Sequence, residues 1–404
     1  MIGPAIATEE SALYEGDIAD KLRGWMEREA LPFWAAIGFD RRRGGFHERL
    51  TVDGQPDRSA ARRLLVQARQ VYVFSHAFVL GWFPPGKALA LDAVDFMLKG
   101  YWAPDGRPGF VHALPGDGVC DPLRDTYDHA FVLLALAWAA RASGDAQIRA
   151  LIDRTIAYID EHLTASDGSL VEGLPARLPR RQNPHMHAFE AMLALKETID
   201  HPQALTRAQR IHAMLGQKFF DEESATVGEY FTNAWARAAG PAGDCVEPGH
   251  QAEWSWLLRR YEALANEPHS PLPQTLLDSA LRWSDPATGF LVDEASRKGP
   301  IVRASRRLWP QTELAKAWLG AAEAGRAGAA DQARRVLAAL ARHYLDKPFA
   351  GGWIDQFDAT GASMSNFVPA STLYHLFCAI AETDRVLGVH TPASKTSPKA
   401  NSNG

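Results

Sequence analysis

The sequence predicts an all-α chain folded as an (α/α)6 barrel, and three observations carry that reading. A glycine-led short strand recurs six times, with successive first glycines 64, 59, 60, 61 and 63 positions apart. Between these strands, apolar residues are spaced by three and four, which marks two amphipathic helices per unit. Some twenty to twenty-five residues after each glycine, polar groups interrupt the apolar start of a helix. A period near sixty is a repeat architecture. Helix pairs that cannot bury their faces alone stack on their neighbours, and six of them can close into a ring with an inner and an outer layer. An open superhelix is the competing arrangement; irregular hairpins and twelve tryptophans favour closure.

Taken in order, the chain opens with a helix near 11–34 and then Gly45-Phe-His-Glu-Arg-Leu, followed by the turn Asp53-Gly54. Helices are expected over 60–80 and 88–99, then Gly109-Phe-Val-His-Ala-Leu with its turn Asp117-Gly118. The next pair spans 127–143 and 147–162, ahead of Gly168-Ser-Leu-Val-Glu-Gly. Helices at 185–199 and 204–219 precede Gly228-Glu-Tyr-Phe-Thr-Asn, and helices at 250–265 and 272–283 precede Gly289-Phe-Leu-Val-Asp-Glu. Helices at 310–325 and 330–346 lead to Gly352-Trp-Ile-Asp-Gln-Phe and Thr360-Gly361, and a last helix covers 370–387. Dipeptides such as Asp-Gly and Thr-Gly make each glycine-led strand read as a small hairpin. One domain is expected over residues 1–388, with a disordered Ser/Pro/Lys/Asn-rich tail over 389–404.

Composition narrows the class. The 404 residues are 46% hydrophobic and 23% charged, as in a soluble globular protein, and the formal charge of −5 gives no reason to expect nucleic acid or an anionic membrane as partner. Cys120, Cys245 and Cys378 are odd in number and widely spaced, which suits reduced thiols in the cytoplasm. The first residues lack the basic and apolar regions of a signal peptide, and no apolar run is long enough to span a bilayer. A monomer or homodimer is expected.

The interrupting polar groups are Arg69 with Tyr72; Tyr127 with Asp128 and His129; Asn183, His187 and Glu190; His250 and Glu253; Trp309, Gln311 and Glu313; and Ser371 with His375. Equivalent units would bring them to one end of the inner ring. Histidines that titrate near neutrality suit reversible proton transfer, and Arg, Tyr and Trp suit a polyhydroxylated ligand with a developing oxyanion. His250 and Glu253 share a helix face behind Pro248, a placement that fits either a proton-transfer group or a plain cap. No Gly-x-Ser-x-Gly, His-Glu-x-x-His or cysteine pair is present, so a nucleophilic serine and a catalytic metal are not expected. Gly81-Trp-Phe-Pro-Pro-Gly86-Lys87-Ala88 lacks the Ser/Thr of a phosphate loop and reads as a turn. A carboxylate pair for glycoside hydrolysis stays open, with Asp125, Asp128, Glu253, Glu313 and Asp355 as candidates.

Together, Arg69-Gln-Val-Tyr72, Asp125-Thr-Tyr-Asp-His-Ala-Phe131, Asn183-Pro-His-Met-His-Ala-Phe-Glu190, Glu247-Pro-Gly-His-Gln-Ala-Glu-Trp254, Trp309-Pro-Gln-Thr-Glu313 and Ser371-Thr-Leu-Tyr-His375 resemble the N-acylglucosamine 2-epimerase superfamily over nearly the whole chain. The Asn-Pro-His-Met-His wording is similar to the aldose–ketose isomerase branch, typified by D-mannose isomerase. The resemblance implies an (α/α)6 barrel that interconverts a mannose-like aldose and a fructose-like ketose through an enediolate, with no cofactor. It also implies His250 and His375 as the catalytic pair. Arg69 and Tyr127 would contact the oxygens around C1 and C2. Asn183, His187, Glu253, Trp309 and Gln311 would line the pocket, with Arg237 as a loop arginine. A 2-epimerase acting on N-acylglucosamine, glucose/mannose or cellobiose needs the same residues and remains the alternative. Sulfoquinovose and other modified hexoses also stay open as substrates.

Overall fold

Sequence periodicity and three-dimensional repeat coincide in the computed structural model, which describes residues 17–115 and 121–388. Helix α1 (Ile18–Trp25) begins at the Asp17 cap and runs on through π-helical turns to Gly38. After it, inner and outer helices alternate. The inner ones are α2 (Leu64–Val79), α4 (Thr126–Ser143), α6 (Asn183–Ile199), α8 (Pro248–Ala265), α10 (Leu308–Glu323) and α12 (Thr372–Leu387). The outer ones are α3 (Gly86–Tyr101), α5 (Ala146–His162), α7 (Ala204–Met214), α9 (Leu272–Leu281) and α11 (Ala329–Tyr344), with α1 completing their layer. The expected helices are recovered within a few residues. The expected start of the first helix at 11, the turn Asp117-Gly118, Cys120 and the tail from 389 lie outside the described residues.

Closure follows from packing. Each inner helix contacts the next, and α12 returns to α2, while α1 covers α12 from outside. The inner helices are buried on nearly every face, as α4 illustrates from Thr126 to Ala140, because neighbours flank them and an outer helix backs them. Outer helices show solvent on one side; α11 buries only Ala329, Ala333, Leu337, Leu340 and Tyr344.

Short strands tie the ring at the end where the inner helices begin. Several carry strand pairing between units, where the sequence suggested local hairpins. Arg62–Arg63 pairs with Ala113–Leu114, Arg124–Asp125 with Gly173–Leu174, and Arg306–Arg307 with Gln356–Phe357. The first glycine-led segment, Arg49–Thr51, pairs with Phe367–Pro369 just ahead of α12. Local hairpin contacts survive as single bridges such as Leu50 to Pro56 and Phe357 to Ser363. No helix among the described residues is long and apolar enough to cross a membrane.

Candidate active site

Buried side chains near the start of the inner helices fix the register of each unit. Gln67 accepts the Phe46 N–H at 2.7 Å and donates to the Phe46 carbonyl at 2.9 Å. Gln251 does the same to Val227, at 2.8 and 3.0 Å, and Gln311 to Leu291, at 2.8 and 2.9 Å. His129 and His185 use Nε2 to accept the N–H of Phe110 (3.2 Å) and Leu170 (2.9 Å). These five side chains pin the glycine-led segments to the inner ring. Burial pushes the imidazoles of His129 and His185 down, to about 4 and about 3, so both stay neutral and can accept.

Gln311 is therefore a correction to the sequence reading. Its amide is spent on the Leu291 backbone and on the Arg307 carbonyl at 2.8 Å, and the residue has no exposed surface. It holds the fold under the pocket and has no free polar atom for a sugar.

Two residues beyond each pin, the inner helices present Arg69, Phe131, His187, Glu253, Glu313 and, on α12, His375. These six form a ring of neighbours. The Arg69 guanidinium lies 4.3 Å from the Phe131 ring centre, and Phe131 lies 4.6 Å from the His187 ring. His187 Nδ1 is 4.0 Å from Glu253 Oε1. Donor atoms of Glu253, Glu313 and His375 all lie within 4.8 Å of one another. Above this ring stand Tyr127, Asn183 and Trp309, all partly exposed. Arg69 Nη2 donates to Tyr127 Oη at 2.9 Å and Nη1 to the Ser371 carbonyl at 3.3 Å. The Trp309 ring neighbours both catalytic candidates, 5.1 Å from His250 and 5.7 Å from His375. Gly249 makes room for it, since a Cβ there would stand 2.6 Å from the indole.

Three histidines share one device. His250 Nδ1–H donates to Glu229 Oε2 at 3.0 Å, His375 Nδ1–H to Glu313 Oε1 at 2.9 Å, and His187 Nδ1–H to Glu190 Oε2 at 2.9 Å. A carboxylate can only accept, so each pair sets the tautomer and leaves Nε2 for a ligand. The surroundings then separate them. Burial alone would lower His250, but the Glu229 and Glu247 carboxylates outweigh it and push it up to about 10. Burial together with the Arg69 and Lys316 cations holds His375 well below the usual imidazole value. The surroundings thus push the two imidazoles in opposite directions, His250 up and His375 down. Burial, with Glu313 close by, lifts the Glu253 carboxyl well above its ordinary range, so it is a neutral acid. Glu253 Oε1, Asn183 Oδ1 and Arg69 Nε are buried polar atoms with no partner in the fold.

Glu229 was not singled out in the sequence, although its signal was there. It occupies the repeat position of Glu48, Glu172 and Asp293, each of which accepts the N–H of a residue just ahead of an inner helix (Arg63, Arg181 and Arg307, at 3.0, 2.6 and 2.7 Å). Lys316 was missed too: it is wholly buried, with Nζ 2.6 Å from Glu313 Oε2. Arg237 is not brought into the group. It faces Asp221 at 3.2 Å and donates to the Gly243 carbonyl at 3.3 Å. Metal-type donors do cluster, as His187–Glu190–Glu253 and as Glu253–Glu313–His375, but Lys316 already supplies a cation against Glu313. Cavities of about 430 Å³ among α4–α7 and about 290 Å³ at the far end of the ring contain neither His250 nor His375.

The sequence profile of the N-acylglucosamine 2-epimerase family matches residues 44–379, which include every residue of this ring. The chain belongs to that family. Among its relatives, a mannose-6-phosphate isomerase of Rhizobium meliloti (strain 1021) is 34% identical over 383 residues, covering 91% of this chain and 97% of the relative. A D-mannose isomerase of Marinomonas mediterranea is 26% identical over 298 residues, 68% of this chain and 74% of the relative. The solved cellobiose 2-epimerase of Spirochaeta thermophila DSM 6192 superposes with a TM-score of 0.81 at 23% identity, over 94% of this chain and 98% of that one. This family member is a sugar isomerase or epimerase.

Proposed function

We propose that the protein interconverts a mannose-like aldose and its fructose-like ketose through an enediolate, with His375 as base and His250 as acid. The observation that carries this reading is the carboxylate held against Nδ1 of each histidine, which leaves both Nε2 atoms free for a ligand beside Trp309, with the surroundings pushing His250 up and His375 down. His250, as imidazolium, gives a proton to the ring oxygen while the C1 hydroxyl gives up its own, which restores the imidazolium and leaves the open-chain aldehyde. His375 Nε2 then takes the C2 proton, and negative charge moves to O1, where Arg69 stabilises it; such an interaction is worth about 3–4 kcal/mol in a water-excluded site. His375 returns its proton to C1 and the O2 proton passes to O1, so aldose and ketose balance atom for atom. Tyr127 positions Arg69, while Asn183 Oδ1 and the neutral Glu253 are left to bond sugar hydroxyls. His187, fixed by Glu190, completes the pocket floor.

The names of the relatives at 34% and 26% identity support isomerisation of mannose or of its 6-phosphate. Free thiols at Cys245 and Cys378 support a reducing, cytoplasmic setting. A 2-epimerase is the second reading, favoured by the contact of both His250 and His375 with Trp309, since a second histidine beside the sugar could reprotonate the other face of C2.

The test is incubation with D-mannose, D-mannose 6-phosphate and cellobiose in D2O with EDTA, followed by NMR of the products. Ketose from mannose is expected, with deuterium at C1 wherever the proton held by His375 exchanges with solvent before it is returned. Ketose only from the phosphorylated sugar would move the substrate to a phosphohexose, and a new aldose without ketose would establish the second reading. Neither ketose nor deuterium in any sugar would end the proposal.

A further inference from the structure

We propose that Lys316 is a positioning residue for the reaction: its ammonium holds Glu313 as the acceptor for His375 Nδ1–H, and so keeps His375 Nε2 available as the base. The inference rests on the assignment of His375 as the base.

Lys316 follows Glu313 by one helical turn of α10, and both side chains are wholly buried. Nζ stands 2.6 Å from Glu313 Oε2, 3.7 Å from Cys378 Sγ and 3.9 Å from the centre of the Trp256 ring. Glu313 Oε1 in turn accepts from His375 at 2.9 Å. One line of contacts therefore runs from the ammonium through the carboxylate to the imidazole.

A buried lysine is not explained by stability, because a buried ion pair is often matched or bettered by apolar residues of similar volume. The groups that face Lys316 are Glu313 on its own helix, Glu253 on α8, Glu190 on α6 and Cys378 on α12. Burial pushes the Cys378 thiol up to about 12, and Glu253 is held neutral, so neither supplies the counter-charge. Glu190 is engaged by His187 and by the Tyr374 hydroxyl. Glu313 is left as the partner, and burial pushes its carboxyl upward while Lys316 draws it back.

Around His375 stand Glu313 and Lys316 from α10, Arg69 from α2, His187 and Glu190 from α6, and Glu253 from α8. Removing the Lys316 cation makes both Glu313 and His375 bind a proton more tightly. With that charge gone and Glu313 still ionised, His375 stays protonated, and idle, up to a higher pH; a Glu313 that takes up a proton stops serving as the acceptor for His375 Nδ1–H and idles the base in another way.

Lys316→Met keeps the length of the side chain and removes its charge. The acid limb of kcat/KM is expected to move up by about one pH unit or more, with kcat on that limb down by about tenfold and KM changed by less than about threefold. The same upward shift should be seen without substrate, in the ¹⁵N titration of the His375 ring. A folded Lys316→Met protein with an unmoved acid limb and unmoved ring titration overturns the inference. Should Lys316→Met fail to fold, Glu313→Gln/Lys316→Met leaves no charge uncompensated at this position and is compared with Glu313→Gln. No further loss of kcat is expected, and a further tenfold loss overturns the inference. His375→Ala separates the two levels: if it retains activity, the assignment of the base fails and not only the role of Lys316.

Discussion

Replacing Glu229 by Gln tests the division of labour between the two histidines most directly. Glutamine keeps an oxygen to accept from His250 Nδ1–H at the 3.0 Å contact and removes only the charge. Two unit charges about 4 Å apart at an effective dielectric near 20 interact by about 4 kcal/mol, or about three pKa units. Glu229 and Glu247 together lift His250 to about 10 against its burial, and Glu247 remains 3.8 Å away in the variant. A fall of about two to three units is therefore expected, to between about 7 and 8. The sign follows from the role. With His250 as the proposed acid, kcat/KM drops as pH rises through its pKa, and the alkaline limb should move from about 10 down towards neutrality. The assay is kcat/KM for the accepted sugar from about pH 6 to about pH 11, with circular dichroism as a control for folding. An alkaline limb unmoved to within about half a unit would refute the role of Glu229, and an upward move would refute His250 as the acid.

Three further outcomes are expected. Gln311→Leu removes three hydrogen bonds to the backbone and should cost about 2–4 kcal/mol, read as a lower Tm, with KM for the sugar unchanged. Gly249→Ala drives a Cβ to 2.6 Å from the Trp309 ring and displaces the wall beside both histidines. Its kcat/KM should fall by about 10²-fold and its tryptophan fluorescence should change, with the helical content kept. Arg69→Lys cannot reach the Tyr127 hydroxyl and the Ser371 carbonyl together, and kcat should fall by about 10²- to 10³-fold.

The sixty-residue period was legible because the glycine-led segment and two amphipathic helices recur in every unit, and helix spacing survives without any knowledge of partners. His250 and His375 could be singled out because each lies near the start of an inner helix, although His375 shares its repeat position with Glu253 and His250 stands three places earlier. Gln311 was misread, since a polar residue at a helix start looks the same whether it faces a sugar or a neighbouring backbone. Only alignment with Gln67 and Gln251 separates the two, and the residue two places further on is the one that faces the centre. Glu229 lay hidden in the link between two short strands, Thr226–Val227 and Tyr230–Phe231, because a pairing across 21 residues has no helical or strand period to announce it. Lys316 was passed over because a lysine on a helix is ordinarily a solvated one. The neutral state of Glu253 depends on Glu313, from another helix, and no local pattern encodes it.

The pairing of Arg49–Thr51 with Phe367–Pro369 makes the last unit the keystone of the first. A ribosome has delivered five inner helices before the segment that completes the ring can emerge. The strand near residue 50 must therefore wait, unpaired, for more than three hundred residues of synthesis, a long-range contact that slows folding and prolongs exposure of apolar faces. His375 rides on that same last helix, so a nascent or C-terminally clipped chain lacks the proposed base and the closure together. Chemistry and architecture are finished in a single step, which leaves no stage at which an incomplete barrel could act on a sugar.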